Sequence, residues 1–202
     1  MANPHPDPAE GAPSEELLAR ASKAGRQAAR AGHFAPTFRL QDLHGGTAAL
    51  VDLIGQRPLV VSFHRGVWCG FCDTALEALG QVDGDIRALS ATQVAIGPPP
   101  GNDDQRRRLL ALPMPVLIDR GLHVAASYGL TFTLPDALKA AYIRAGYSPN
   151  AKGTVPIPAT YVIDRGGRIA LAAIDIDYRN RLDPAQVLSA LRCLLKRDGH
   201  LD

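Results

Sequence analysis

The sequence predicts an α/β protein in which a central mixed β-sheet is flanked by helices and preceded by an N-terminal helical extension. Three observations carry that expectation. Strand and helix signals alternate as βαβαβ and then, after extra helices, close with ββα, an order that gives a sheet covered by helices. Leu59-Val60-Val61-Ser62-Phe63 is apolar and β-branched at successive positions, the pattern of a central strand buried on both faces. The composition is that of a packed domain, with 46% hydrophobic and 21% charged residues among 202, near the usual values of about 45–50% and about 25%. One domain is expected over 34–202, after a disordered tail and a helix within 1–33, with no internal repeat.

Each element has its own local signal. Met1 to Pro13 holds four prolines and no apolar periodicity, so it reads as a frayed tail. Ser14 followed by Glu15 and Glu16 suits a helix start, and Ala, Leu and Arg content extends the helix to Arg30, where Gly32 should stop it. Ala35 to Leu43 alternates apolar and polar residues before Gly45-Gly46 turns the chain, as in an edge hairpin. After the central strand a helix should begin near Gly70, with Leu76 and Leu79 inward. Thr92 to Ile96 is a second buried strand, closed by the prolines of Gly97 to Gly101. A charged helix follows around Asp103 to Leu112, then a third strand at Pro115 to Ile118. A short helix is expected at Leu122 to Tyr128 and a longer one from about Pro135, at its first helical position, to Ala145, with a long polar loop from Gly146 to Pro156. Pro158 to Asp164, Arg165-Gly166-Gly167 and Arg168 to Ile174 read as strand, turn and antiparallel strand. Asp183-Pro184 opens a last helix, with Val187, Leu188, Leu191 and Leu195 at helical spacing.

Charge and cysteine usage narrow the function classes. With 22 Lys and Arg against 20 Asp and Glu, the formal charge is +2, which excludes nucleic-acid binding by bulk charge. The longest apolar runs, such as Pro58 to Val61, are far shorter than a membrane span, and no signal-peptide core opens the chain, so a cytoplasmic protein is expected. Three cysteines cannot staple a secreted scaffold; they suggest a metal site, a redox pair or inert thiols.

The chemistry concentrates in Phe63-His64-Arg65-Gly66-Val67-Trp68-Cys69-Gly70-Phe71-Cys72, at the junction between the first central strand and a helix. N–H groups at a helix N-terminus favour anions, so a thiol there is drawn toward thiolate, the form that attacks disulfides and peroxides. Two cysteines three apart can close a disulfide, so one can attack and the other resolve. A structural zinc site needs four ligands, and only His64 and Cys193 could join the pair. Haem attachment needs a His after the second cysteine, where Asp73 stands. Redox chemistry is the reading these spacings favour, with two inert thiols as the alternative.

Over about Ala35 to Leu191 the chain resembles the peroxiredoxin-like, AhpC/TSA-type branch of the thioredoxin superfamily. The resemblance rests on Ala35-Pro36-Thr37-Phe38, on Arg65 to Cys72, on Pro156-Ile157-Pro158-Ala159-Thr160-Tyr161-Val162-Ile163-Asp164, and on Asp177-Tyr178-Arg179-Asn180-Arg181. It implies a thioredoxin fold and a thiol-dependent oxidoreductase with Cys72 in the peroxidatic position. Cys69 stands where peroxiredoxins carry a Thr, and Pro158 where they carry an Arg on a strand. In those two places the chain looks like thioredoxin, whose Trp-Cys-x-x-Cys faces a proline after a cis peptide bond; Ile157–Pro158 is the cis candidate. Arg65 and Arg181 are candidates to replace the missing cation, since the hairpin should return Asp177, Tyr178, Arg179 and Arg181 toward the sulfurs. Trp68 is expected to shape an apolar rim, His64 to be a packing residue, and Cys193 to be inert on the last helix.

Three functions follow. In the first, Cys72 reduces a hydroperoxide and Cys69 condenses with its sulfenic acid to an intramolecular disulfide, which an external dithiol such as a thioredoxin-like protein reduces. In the second, an exposed Cys69 attacks a disulfide substrate and Cys72 resolves the mixed disulfide. The third is a redox sensor whose disulfide alters a partner surface. The expected partners are thus a hydroperoxide or disulfide and a dithiol reductant, without nucleic acid or membrane, in a monomer or homodimer. No bound cofactor and no metal is implied, because sulfur carries both electrons and Arg165-Gly166-Gly167-Arg168 is a hairpin turn, not a nucleotide fingerprint.

Overall fold

The computed structural model describes residues 13–55, 57–147, 153–197 and 199. The elements in order are α1 (Glu15–Gly25), β1 (Arg39–Asp42), β2 (Thr47–Ala49), α2 (Leu50–Ile54), β3 (Leu59–Phe63), α3 (Gly70–Gln81), α4 (Asp83–Ala88), β4 (Thr92–Gly97), α5 (Asp103–Leu110) and β5 (Val116–Ile118). A 3-10 turn (Arg120–Leu122) leads to α6 (His123–Ser127), β6 (Thr131–Thr133), α7 (Asp136–Arg144), β7 (Thr154–Pro156), β8 (Ala159–Ile163), β9 (Ile169–Ile174) and α8 (Pro184–Arg197). The main sheet runs β2-β1-β5-β4-β3-β8-β9. Strands β3, β4 and β5 are parallel, and β1, β8 and β9 join antiparallel, giving the expected mixed sheet.

Every residue of β3 is buried, because β4 and β8 flank it and helices cover both faces. Its alternate side chains divide between two cores, as strand pleating requires. Leu59, Val61 and Phe63 pack with Phe38, Tyr128 and Tyr161, whereas Val60 packs with Val162, Ile86, Val187 and Leu191 beneath α4 and α8. The register then builds one functional edge. Phe63 at the end of β3 pairs with Ala159 at the start of β8, and Ala159 pairs with Ile174 at the end of β9. The carboxyl end of β3, Pro158 and the segment after Ile174 therefore meet at one rim, with Asp175 N donating to Pro158 O at 2.9 Å.

Several expectations need correction. The first helix ends at Gly25 rather than near Gly32, because Ala29 N turns away to donate to Tyr128 O at 3.0 Å. Its start is as expected, with Ser14 Oγ accepting from Leu17 N at 3.2 Å. Pro135 caps α7 from outside instead of occupying its first turn. Part of the loop read from Gly146 to Pro156 is β7, which pairs with β6 as a separate two-stranded sheet. The short helices α2 and α4 were not foreseen. The Met1 to Pro13 tail lies outside the described residues except for Pro13, as does 148–152 of the loop. No helix among the described residues is long and apolar enough to cross a membrane.

Candidate active site

The loop between β3 and α3 carries the two sulfurs. Gly66 takes φ +116, a backbone conformation that side chains resist, and a Cβ there would lie 2.6 Å from the Trp68 ring. That turn points Trp68 Nε1 at Arg65 O, 2.8 Å away. Cys69 is the N-cap of α3 and Cys72 lies in its first turn. Arg108 of α5 fastens this corner, donating to Val67 O at 2.6 Å and pairing with Asp73.

Both sulfurs are buried, with Cys69 0% and Cys72 1% exposed. Leu17 of α1, Leu134, Tyr142, Tyr147, Val155 and Tyr178 share one apolar cluster with Trp68 and the two cysteines. The exposed Cys69 assumed for disulfide exchange is thus corrected. The N-terminal helix and the α7 region roof the site, leaving Cys69 no solvent surface on which a protein disulfide could land.

Two guanidinium groups enter this enclosure from different directions. Arg181, beyond β9, places Nη2 2.9 Å from Cys72 Sγ, and its Nη1 lies 3.5 Å from Asp175 Oδ2. Arg65 offers its backbone N–H to Cys72 Sγ at 3.4 Å but turns its side chain to Cys69, with Nη1 3.8 Å from Sγ. Its Nη2 donates to Tyr142 Oη at 2.5 Å, and its Cζ lies 4.0 Å from the Tyr178 ring centre, 5.0 Å from that of Trp68 and 5.1 Å from that of Tyr142. At 2% exposure it is among the largest fully buried side chains.

The electrostatics follow. Burial raises the Cys72 thiol, but a hydrogen bond from Cys69, the charges of Arg181 and Arg65 and the Arg65 N–H together bring it down to about 5. Cys72 is accordingly a thiolate at neutral pH. Burial lifts Asp175 to about 6 even though Arg181 favours its ionised form. The 3.5 Å contact with Arg181 is too long to repay that desolvation, so the carboxyl stays raised. His64, held down to about 4 by burial and then by Arg181, stays neutral; its Nδ1 accepts Gly66 N–H at 3.1 Å and its Nε2 has no hydrogen-bond partner among the described residues.

Of the residues named from sequence, Cys69, Cys72, Arg65, Arg181 and Trp68 converge here. Trp68 is 4% exposed and packs inside the cluster instead of forming a rim. Pro158 is buried at the same sheet edge, but no peptide bond among the described residues is cis, so the Ile157–Pro158 expectation is corrected. The chain runs extended from β7 into β8, with Ile157 N donating to Leu130 O at 2.6 Å, and no reversal is needed there. Exposed Arg179 pairs with half-buried Asp177 at 2.7 Å, while Tyr178 joins the cage. Cys193 is exposed on α8 and lines a groove with Ala31, Asp164 and Arg168. Sequence reasoning missed Tyr142, Arg108 and Asp175, none of which lies in a motif.

The AhpC/TSA family model matches residues 31–172. Among solved structures, the chain resembles the peroxidoxin BcpB of Mycobacterium tuberculosis (TM-score 0.62, 19% identity, 82% of this chain and 97% of that one). It also resembles the mitochondrial 1-Cys peroxiredoxin of yeast (0.65, 14%, 85% and 78%) and the AhpC of M. tuberculosis (0.60, 18%, 85% and 96%). At these identities the likeness is one of fold. No curated protein matches the sequence closely enough to count as a relative.

Proposed function

Because the chain belongs to the AhpC/TSA family, we propose that it is a thiol peroxidase in which Cys72 is oxidised by a hydroperoxide and Cys69 resolves it. The observation that carries this reading is the 2.9 Å contact between Arg181 Nη2 and Cys72 Sγ. It supplies, from another part of the chain, the cation missing where Pro158 stands. The Cys72 thiolate attacks the terminal peroxide oxygen, the O–O bond breaks, and the departing alkoxide takes a proton to leave as alcohol or water. The Arg181 guanidinium serves both the thiolate and the negative charge that grows on the departing oxygen. Cys72 is left as sulfenic acid; Cys69 condenses with it, water leaves, and a Cys69–Cys72 disulfide results. An external dithiol then restores both thiols by exchange, a step that needs one sulfur of the disulfide to become accessible, unlike the attack on a small peroxide.

Burial supports the same choice. A small peroxide needs a passage of molecular width, whereas a protein disulfide must dock on an exposed sulfur. The reading with Cys69 as nucleophile toward protein disulfides therefore has less support, since Cys69 has no exposed surface. The test treats reduced wild type, Cys69→Ser and Cys72→Ser with substoichiometric hydrogen peroxide, traps sulfenic acid with a dimedone-type probe and locates it by mass spectrometry. Rapid peroxide loss with the adduct on Cys72 in the Cys69→Ser protein is expected. Reaction no faster than a free thiol, together with wild type reducing a protein disulfide through Cys69, defeats the peroxidase reading.

A further inference from the structure

Resting on that reading, we propose that the two guanidinium groups at the sulfurs, one buried and one half-buried, divide the reaction between them: Arg181 serves Cys72 in the attack, and Arg65 serves Cys69 in the resolution. The geometry separates them. Arg181 reaches the Cys72 sulfur and is steadied by Asp175. The Arg65 side chain is held at Cys69 by the Tyr142 hydroxyl and by the faces of Tyr178, Trp68 and Tyr142. The Arg65 backbone N–H donates to Cys72 Sγ while its guanidinium donates to Cys69 Sγ, so the side-chain hydrogen bond goes to the second sulfur even though its charge is felt at both.

The chemistry requires such a second charge. A side-chain hydrogen bond links Cys69 to Cys72 and favours the Cys72 thiolate, which places the remaining thiol proton between the two sulfurs on the Cys69 side. Once Cys72 is a neutral sulfenic acid, Cys69 must release that proton, because the thiolate is the competent nucleophile. With Cys69 0% exposed, water does not solvate the new anion, and a protein cation has to. Arg65 Nη1, 3.8 Å from the sulfur, is in place to do so. Cys69 sulfur then attacks Cys72 sulfur, the S–S bond forms as the S–O bond breaks, and hydroxide leaves with the released proton as water. The two cysteines together have given the two electrons that reduced the peroxide. A permanently charged guanidinium in an aromatic cage suits this task, because it neither loses its proton nor needs water around it.

The experiment is a single turnover. Reduced protein is mixed with one equivalent of hydrogen peroxide and quenched at intervals, and mass spectrometry counts trapped Cys72 sulfenic acid and the disulfide between about pH 6 and about pH 9. Arg65→Met is expected to form sulfenic acid within about fivefold of the wild-type rate but to form disulfide about tenfold or more slowly at the acid end. That deficit should close toward the alkaline end, where hydroxide removes the Cys69 proton, and Arg65→Lys should restore most of the rate. Arg181→Met should show the opposite split, slow in attack. Equal slowing of both steps by Arg65→Met, or a resolution deficit that is the same at every pH, overturns the proposal and leaves Arg65 a packing residue. Should Arg65→Met fail to fold by circular dichroism, Tyr142→Phe carries the same test, with resolution slowed about threefold and no loss of the ring. If wild type itself yields no Cys72 sulfenic acid, the peroxidase reading has failed, an outcome separate from either result above.

Discussion

Beneath α8, Val60 and Val162 meet Val187, Leu188 and Leu191, with Leu79, Ile86 and Met114 closing the layer. At the far end of the same strand, Cys69 and Cys72 lie among Trp68, Tyr142, Tyr147 and Tyr178, with Arg65 and Arg181 on their sulfurs. The two regions are almost equally buried. The first gains stability from every apolar contact, at about 25 cal/mol per Å² removed from water. The second takes a full guanidinium out of solvent, which costs several kcal/mol before its partners repay any of it. It also leaves His64 Nε2 without a hydrogen-bond partner among the described residues. A core under selection for stability alone would fill that space with leucine. The contrast teaches that burial by itself does not mark a structural core; what is buried, and at what cost, separates the scaffold from the site.

The contrast can be broken from either side. Cys72→Ser should abolish peroxide reduction, a loss on the order of 10³-fold or more in kcat/KM, while thermal unfolding changes little. Leu191→Ala should do the reverse: it empties a fully buried position and should cost about 2–5 kcal/mol in denaturant unfolding, with kcat/KM unchanged wherever the protein is folded. Arg181→Met should lower the attack rate by about 10²-fold. It should also move the acid limb of the pH–rate profile up from near 5, the value to which Cys72 is held. Gly97→Ala is the finest probe, since a Cβ there would stand 2.3 Å from His64 Nε2. Turning that ring loosens Gly66 and should cost about tenfold or less in attack rate, with a smaller effect on stability.

Stability against pH sharpens the comparison further. The folded Cys72 thiol titrates below its ordinary value of 9.0, so its stabilising contribution is complete above that value and is lost as pH falls through about 5. Asp175 acts in the opposite sense: raised from 3.8 to about 6, it contributes below its ordinary value, and that contribution is lost as pH rises through about 6. Denaturant melts of wild type, Cys72→Ser and Asp175→Asn across this range should separate the two, because each variant removes one slope and leaves the other.

The scaffold was legible in the sequence because its elements are long or strongly patterned. Leu59 to Phe63 announces a central strand by its unbroken apolar run, and the hairpin about Gly166-Gly167 by its turn chemistry. Strands β6 and β7 are three residues each and are separated by α7, so no periodicity could reveal them. The early end of α1 was hidden for a similar reason, since Tyr128, which draws Ala29 away, lies far along the chain. At the site, the motif announced both cysteines and their place at a helix start. The partners that tune them come from α5, α7 and the segment after β9. Tyr142 looks from sequence like any helical aromatic, and Asp175 like any surface carboxylate. Arg181 could be named as a candidate because the hairpin had to return its end to that edge; that it faces Cys72 while Arg65 faces Cys69 is set by side-chain packing that no spacing rule contains.

Trp68 is the single tryptophan of the chain. Its indole stands against the Arg65 guanidinium and two tyrosine rings, beside the sulfur that changes oxidation state. The protein thus carries its own optical gauge: a charge appearing or vanishing on Cys69 alters the field across one indole and no other. Emission from that ring should follow each step of turnover in unlabelled protein.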